Sequence, residues 1–128
     1  MIGIVLASHG EMANGILDTT KLFFGEQKQL KAICLKAEDN PENFLNTMKD
    51  AIAEVDTGDG ALVFVDMLYG TPCNCSAQLL SDKVSVVTGM NLSMIMEVLG
   101  ARENSEIDVD QLIATAKDSI INLKTLFQ

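Results

Sequence analysis

The chain contains a single histidine, His9, in Ser8-His9-Gly10, directly after the apolar run Ile2-Gly3-Ile4-Val5-Leu6-Ala7. An imidazole placed where a buried strand surfaces into a loop is accessible and rigidly based, and the carboxyl ends of parallel strands line the crevice in which open α/β sheets bind ligands and react. The same position also suits a histidine that merely caps a loop or the following helix. A second constellation, Asp66 followed by Gly70-Thr71-Pro72, ends another apolar run, Ala61 to Val65. If those two strands are neighbours, Asp66 reaches His9. A carboxylate accepting from one ring nitrogen fixes the tautomer, leaves the other nitrogen unprotonated and stabilises positive charge on the ring, which prepares a nitrogen nucleophile. Thr71-Pro72 opens a helix, where proline suits the first turn and a threonine hydroxyl caps free amides, so an anion such as a phosphoryl group meets both hydroxyl and backbone donors. Taken singly, Asp66 also reads as a loop carboxylate satisfying local amides, and Thr71 as a plain helix cap.

The elements that must position these residues follow from hydrophobic periodicity. Apolar runs rich in β-branched residues alternate with longer stretches whose apolar positions recur every three or four residues, the pattern of repeated βα units. The fold class expected is α/β, a doubly wound, mostly parallel central sheet with helices on both faces. The first strand covers Ile2 to Ala7, and a helix near Met12 to Phe24 puts Ile16, Leu17, Thr20 and Phe23 on one face before Gly25 closes it. Gln29 to Leu35 reads as the second strand. Asn40-Pro41 starts a helix with Phe44, Leu45, Met48, Ile52 and Val55 as its inner stripe, and Asp56 to Gly60 is a turn cluster. Ala61 to Val65 forms the third strand, Cys73 to Leu80 a helix, and Val84 to Thr88 the fourth strand. A short helix follows from Leu92 to Leu99, then an acidic linker from Glu103 to Asp108 and one amphipathic helix from Asp110 to Leu126.

A length of 128 residues fits one domain, residues 1–128, that buries about two-thirds of its unfolded surface. Hydrophobic content of 48 % and charged content of 21 % are ordinary globular usage, so disorder and fibrous repeats are not indicated. A formal charge of −9 repels phosphate backbones and anionic lipid, which argues against nucleic acid as a ligand and favours a basic protein partner. The most apolar long stretch, Val84 to Ala101, is broken by Asn91, Ser93 and Glu97, and the N-terminus lacks a basic region before an apolar core. Three cysteines, an odd number, cannot close a disulfide framework, so a cytoplasmic protein is expected.

In their order and spacing, Ser8-His9-Gly10 after the first strand, Val63-Phe64-Val65-Asp66, Gly70-Thr71-Pro72-Cys73-Asn74 and Val87-Thr88-Gly89-Met90-Asn91-Leu92-Ser93-Met94 resemble the IIA component of the mannose family of the bacterial sugar phosphotransferase system. The likeness covers nearly the whole chain. It implies that His9 accepts a phosphoryl group from the phosphocarrier HPr and passes it to a IIB component, which phosphorylates sugar as a membrane IIC/IID complex imports it. It further implies that Asp66 orients His9 and that Thr71 helps to hold the phosphoryl group, with Gly70, Ser8 and Gly10 completing the phosphoryl-binding set. No cofactor or metal is implied. The family fold is a homodimer in which a final strand pairs, and the region from Gly89 through Ser105 is the natural candidate for that strand. The sequence departs from the resemblance at one place: similar proteins carry two glycines before the Ser/Thr-Pro pair, whereas Tyr69 stands before Gly70, either narrowing the pocket, packing on a partner or simply facing solvent.

Other readings stay open at this point. The same domain type serves dihydroxyacetone kinase, where the acceptor is another enzyme's bound nucleotide. Cys73-Asn74-Cys75 at a helix start would suit redox or soft-metal chemistry in a regulatory module, and Cys34, Cys73, Cys75 and His9 together would supply four zinc ligands, although without the usual paired spacing. Met90, Met94 and Met96 read as core filling or as a partner-binding surface. The acidic stretch from Glu103 to Asp110 reads as a solvated connection or as a means of steering a basic carrier to the site.

Overall fold

The computed structural model describes residues 1–128. Its four strands, β1 (Gly3–His9), β2 (Leu30–Leu35), β3 (Ala61–Val65) and β4 (Val84–Val87), form one parallel sheet in the order β2-β1-β3-β4. The helices are α1 (Met12–Phe24), α2 (Pro41–Val55), α3 (Gly70–Ala77), α4 (Leu92–Ala101), α5 (Val109–Asp118) and α6 (Leu123–Leu126). Every residue of β3 is buried, as are Gly3 to Ser8 of β1, because both faces of the sheet are covered.

Side-chain alternation along the strands divides the interior into two cores. Ile4, Leu6, Leu62 and Phe64 point to one face, where they meet Met94, Ile95, Val98 and Leu99 of α4, Leu112 of α5 and the inner side of α1. Val5, Ala7, Val63 and Val65 point to the other, against Phe44, Met48, Ala51 and Val55 of α2 and Cys75 of α3. Burying a side chain such as Leu62 or Ile95 contributes about 1.5–3 kcal/mol each, so two continuous cores fix the strand order firmly. From β1 the chain moves outward to β2, then crosses back over β1 to reach β3. The strand order therefore reverses between β1 and β3, and the loops leaving their carboxyl ends part there to leave a crevice.

Several expectations are corrected. β1 runs two residues further than Ala7, so that His9 is itself a strand residue in register with Leu35. In α1 the inward aromatic residue is Phe24, not Phe23, which is 64 % exposed. α3 begins at Gly70 instead of Cys73 and ends at Ala77. The single helix expected from Asp110 to Leu126 is two: α5 stops at Asp118, where the Ser119 hydroxyl donates to Ala116 O, and Asn122 caps α6 by accepting from the Lys124 amide. These short polar side chains compete with the helical backbone, and beyond Ala116 no core remains to reward continuing the apolar stripe. The stretch from Gly89 to Ser105 carries no strand. Asn91 caps α4 by accepting from the Met94 amide, and Met94, Ile95, Val98 and Leu99 are buried at helical spacing. Met90 and Met94 are core residues.

Candidate active site

His9 and Asp66 flank the crevice between β1 and β3. His9 closes β1, and Asp66 is the residue after β3. Parallel pairing of Ala7 with Val65 brings the two strand ends level, so the carboxylate needs only a short reach to the ring. Asp66 Oδ2 lies 2.8 Å from His9 Nδ1 and accepts the His9 backbone N–H at 2.9 Å, while Oδ1 accepts the Met67 amide at 3.1 Å. Three donors thus fix the carboxylate. Burial pushes the Asp66 carboxyl upward, but hydrogen bonds from the His9 amide and ring outweigh it and hold the group below its usual value. An ionised carboxylate only accepts, so Nδ1 carries the proton, and in the neutral ring Nε2 keeps a free lone pair. The His9 side chain is 45 % exposed, whereas that of Asp66 is 12 % exposed.

Gly70 determines what surrounds Nε2. A Cβ at this position would stand 2.8 Å from His9 Cε1 and 3.0 Å from Nε2, closer than side chains tolerate, and its φ of +82° is one that glycine adopts freely. Tyr69, with φ +69° and ψ 179°, and then Gly70 swing the chain into α3, so Thr71 lies within the first turn of the helix instead of capping it. No side chain caps α3, and its first amides remain available to an anion beside the ring. Gly10, with φ +57°, has open space where a side chain would stand, and its N–H is held by Leu35 O.

Ser8 is placed differently from the rest. It is fully buried, accepting the Ala13 amide at 2.8 Å and donating to Gly10 O at 3.1 Å. Strand alternation dictates this, since neighbouring residues His9 and Ser8 face opposite sides of the sheet. The three thiols do not converge either. Cys34 packs with the core under α1, Cys73 and Cys75 with the core under α2, and no three His, Cys, Asp or Glu side chains form a group able to hold a metal ion. Burial pushes the Cys75 thiol pKa up, away from the reactive thiolate. The acidic stretch after α4 lies at the far end of the molecule: Arg102 donates to Ile2 O and Gln29 O, at the entrances of β1 and β2, so Glu103 to Glu106 sit opposite His9 and not beside it.

Sequence reasoning missed the bond from the His9 backbone to Asp66 and the contact of Gly70 with the ring. The only written signal for the second was a glycine directly before Thr71-Pro72.

A doubly wound parallel α/β domain with a carboxylate-held histidine at its topological switch point is the class of protein that fold and site define. The chain belongs to the EIIA-man family: the family profile described as "PTS system fructose IIA component" matches residues 3–117. It is 32 % identical over 120 residues to the mannose-specific EIIAB component of Escherichia coli, covering 92 % of this chain but 37 % of that protein, so the chain spans little more than a third of that relative. It is 25 % identical over its whole length to the fructose-specific EIIA component of Bacillus subtilis, 83 % of which is covered. The solved PTS IIA protein associated with the fucose utilization operon of Streptococcus pneumoniae superposes with a TM-score of 0.90 at 30 % identity, covering 98 % of this chain and 96 % of that one. No helix is long and apolar enough to cross a membrane.

Proposed function

We propose that this chain is a phosphohistidine carrier of a sugar phosphotransferase system, acting in the cytoplasm as one phosphotransfer domain. His9 accepts a phosphoryl group from HPr and yields it to a IIB component that serves a IIC/IID membrane complex. The observation that carries this reading is the 2.8 Å contact between His9 Nδ1 and Asp66 Oδ2, which leaves Nε2 as the exposed nucleophile. Membership of the EIIA-man family supports it.

The chemistry asks for alignment more than for covalent machinery. The Nε2 lone pair attacks phosphorus as the nitrogen–phosphorus bond in the donor breaks. The donor nitrogen keeps the departing electron pair, and Nδ1 retains its proton. Positive charge on the ring is met by Asp66, and negative charge on the phosphoryl oxygens by the first amides of α3 and the Thr71 hydroxyl. Gly70 keeps the approach to Nε2 clear. Ser8 braces the turn into α1 from within. Because the His9 ring and two amides occupy Asp66, it is poorly placed to activate water, and the phosphohistidine survives until an acceptor arrives. Reversal of the same steps delivers the group onward.

The test is to incubate the protein with phosphorylated HPr and locate acid-labile phosphate by peptide mass analysis. Label on the peptide containing His9, absent from His9→Ala and discharged by a IIB protein, is the expected result. Label that persists in His9→Ala overturns the proposal.

A further inference from the structure

Tyr69 holds a backbone conformation, φ +69° and ψ 179°, that is essentially reserved for glycine, yet the residue is 72 % exposed. The backbone alone would favour glycine here, and the exposed ring is free to meet another molecule. Met67 and Leu68, each 54 % exposed, precede it, and three large apolar side chains in succession therefore face solvent on the loop from β3 to α3. That loop is continuous with the reacting atom. The next residue, Gly70, abuts Nε2 so closely that a Cβ there would lie 3.0 Å away, and consecutive Cα atoms are only about 3.8 Å apart.

We infer that the Met67-Leu68-Tyr69 loop is the docking surface for the protein that exchanges phosphoryl groups with His9, and that Tyr69 is its specificity-determining anchor. The inference rests on the reading of His9 given above. A protein that brings phosphorus into line with Nε2 covers this loop, whereas a small donor reaches the same atom without touching it. Tyrosine suits such an anchor because it offers a large rigid face at little cost in rotamer entropy, with a hydroxyl for the rim. The partner it fits presents an apolar patch beside its own reactive nitrogen, with basic residues around it to complement a chain of formal charge −9.

The experiment compares phosphorylation of His9 by phosphorylated HPr and by phosphoramidate, a small phosphoryl donor, in the parent protein, Tyr69→Gly and Tyr69→Phe, together with their melting temperatures. Tyr69→Gly should melt higher through relief of the backbone. Its rate with HPr should fall, mainly through a higher KM, at least tenfold more than its rate with phosphoramidate, and Tyr69→Phe should retain most of the HPr rate. An equal loss with both donors, or none with HPr, overturns the docking role while leaving His9 as the acceptor. Absence of label on His9 in the parent protein with phosphorylated HPr removes the reading of His9, and the docking role with it.

Discussion

Asp66 is the residue on which the state of the site turns. Its Oδ2 atom serves both the backbone and the ring of His9, so removing its charge loosens the imidazole and withdraws the countercharge for a phosphorylated ring. Asp66→Asn should slow HPr-dependent labelling of His9 by about a hundredfold, read in single-turnover kinetics. The same carboxyl is held below its ordinary value of 3.8 in the folded chain. A depressed carboxylate stabilises the fold above its unfolded pKa, and that contribution disappears as pH falls through the folded one. Urea titrations of Asp66→Asn below about pH 4 should therefore show a shallower loss of stability than the parent protein. Gly70 is the steric counterpart: Gly70→Ala should cost more than about 1 kcal/mol in urea unfolding, because φ is +82°, and in the folded protein largely abolish labelling, because the new Cβ would crowd Nε2. At this scale the approach of Asp66 to His9 was legible, since each ends a recognisable apolar run, whereas the contact of Gly70 with the ring was not. The burial of Ser8 was implicit in strand alternation, had β1 been carried on to His9. The strain at Tyr69 was not legible, because a φ angle leaves no trace in residue type.

At the scale of elements, the apolar periods read in sequence match strands and helices wherever a core rewards them. The stripe of α2 and the continuous run of β3 needed no long-range information. Where the period outlasts the core the reading failed, as beyond Ala116, where Ser119 and Asn122 redirect the backbone. The acidic segment after α4 could be placed only once Arg102 was seen to bind the strand entrances. That arginine is 2 % exposed, and its guanidinium donates to Ile2 O, Gln29 O and Lys28 O, joining the end of α4 to the starts of β1 and β2. Arg102→Ala leaves those carbonyls without their donor and should destabilise the fold by about 2–3 kcal/mol in urea unfolding. Since the site lies at the other end of the sheet, labelling of His9 in the folded variant should stay within about twofold of the parent rate, as expected for distant independent sites.

For the whole molecule, exposed apolar residues gather after α5. Ile120 and Phe127 are 76 % and 80 % exposed, and Ile121, Leu123 and Leu126 are also exposed. Isolated surface leucines are ordinary, but five such side chains within eight residues form a surface that association would cover. If the chain forms the homodimer implied by family likeness, this C-terminal segment, and not the stretch from Gly89 to Ser105, is the expected contact. The double variant Ile121→Asp, Phe127→Asp should sediment as a monomer in analytical ultracentrifugation while the parent sediments as a dimer; equal behaviour would show that the segment is not the contact.

The central claim is that Asp66 holds the Nδ1 proton and presents Nε2 for phosphorylation. Phosphorus–proton couplings in the NMR spectrum of the protein after reaction with phosphorylated HPr identify which ring nitrogen carries phosphate. Phosphate on Nε2 of His9 is the result predicted, whereas phosphate on Nδ1, or on any other residue, contradicts the account.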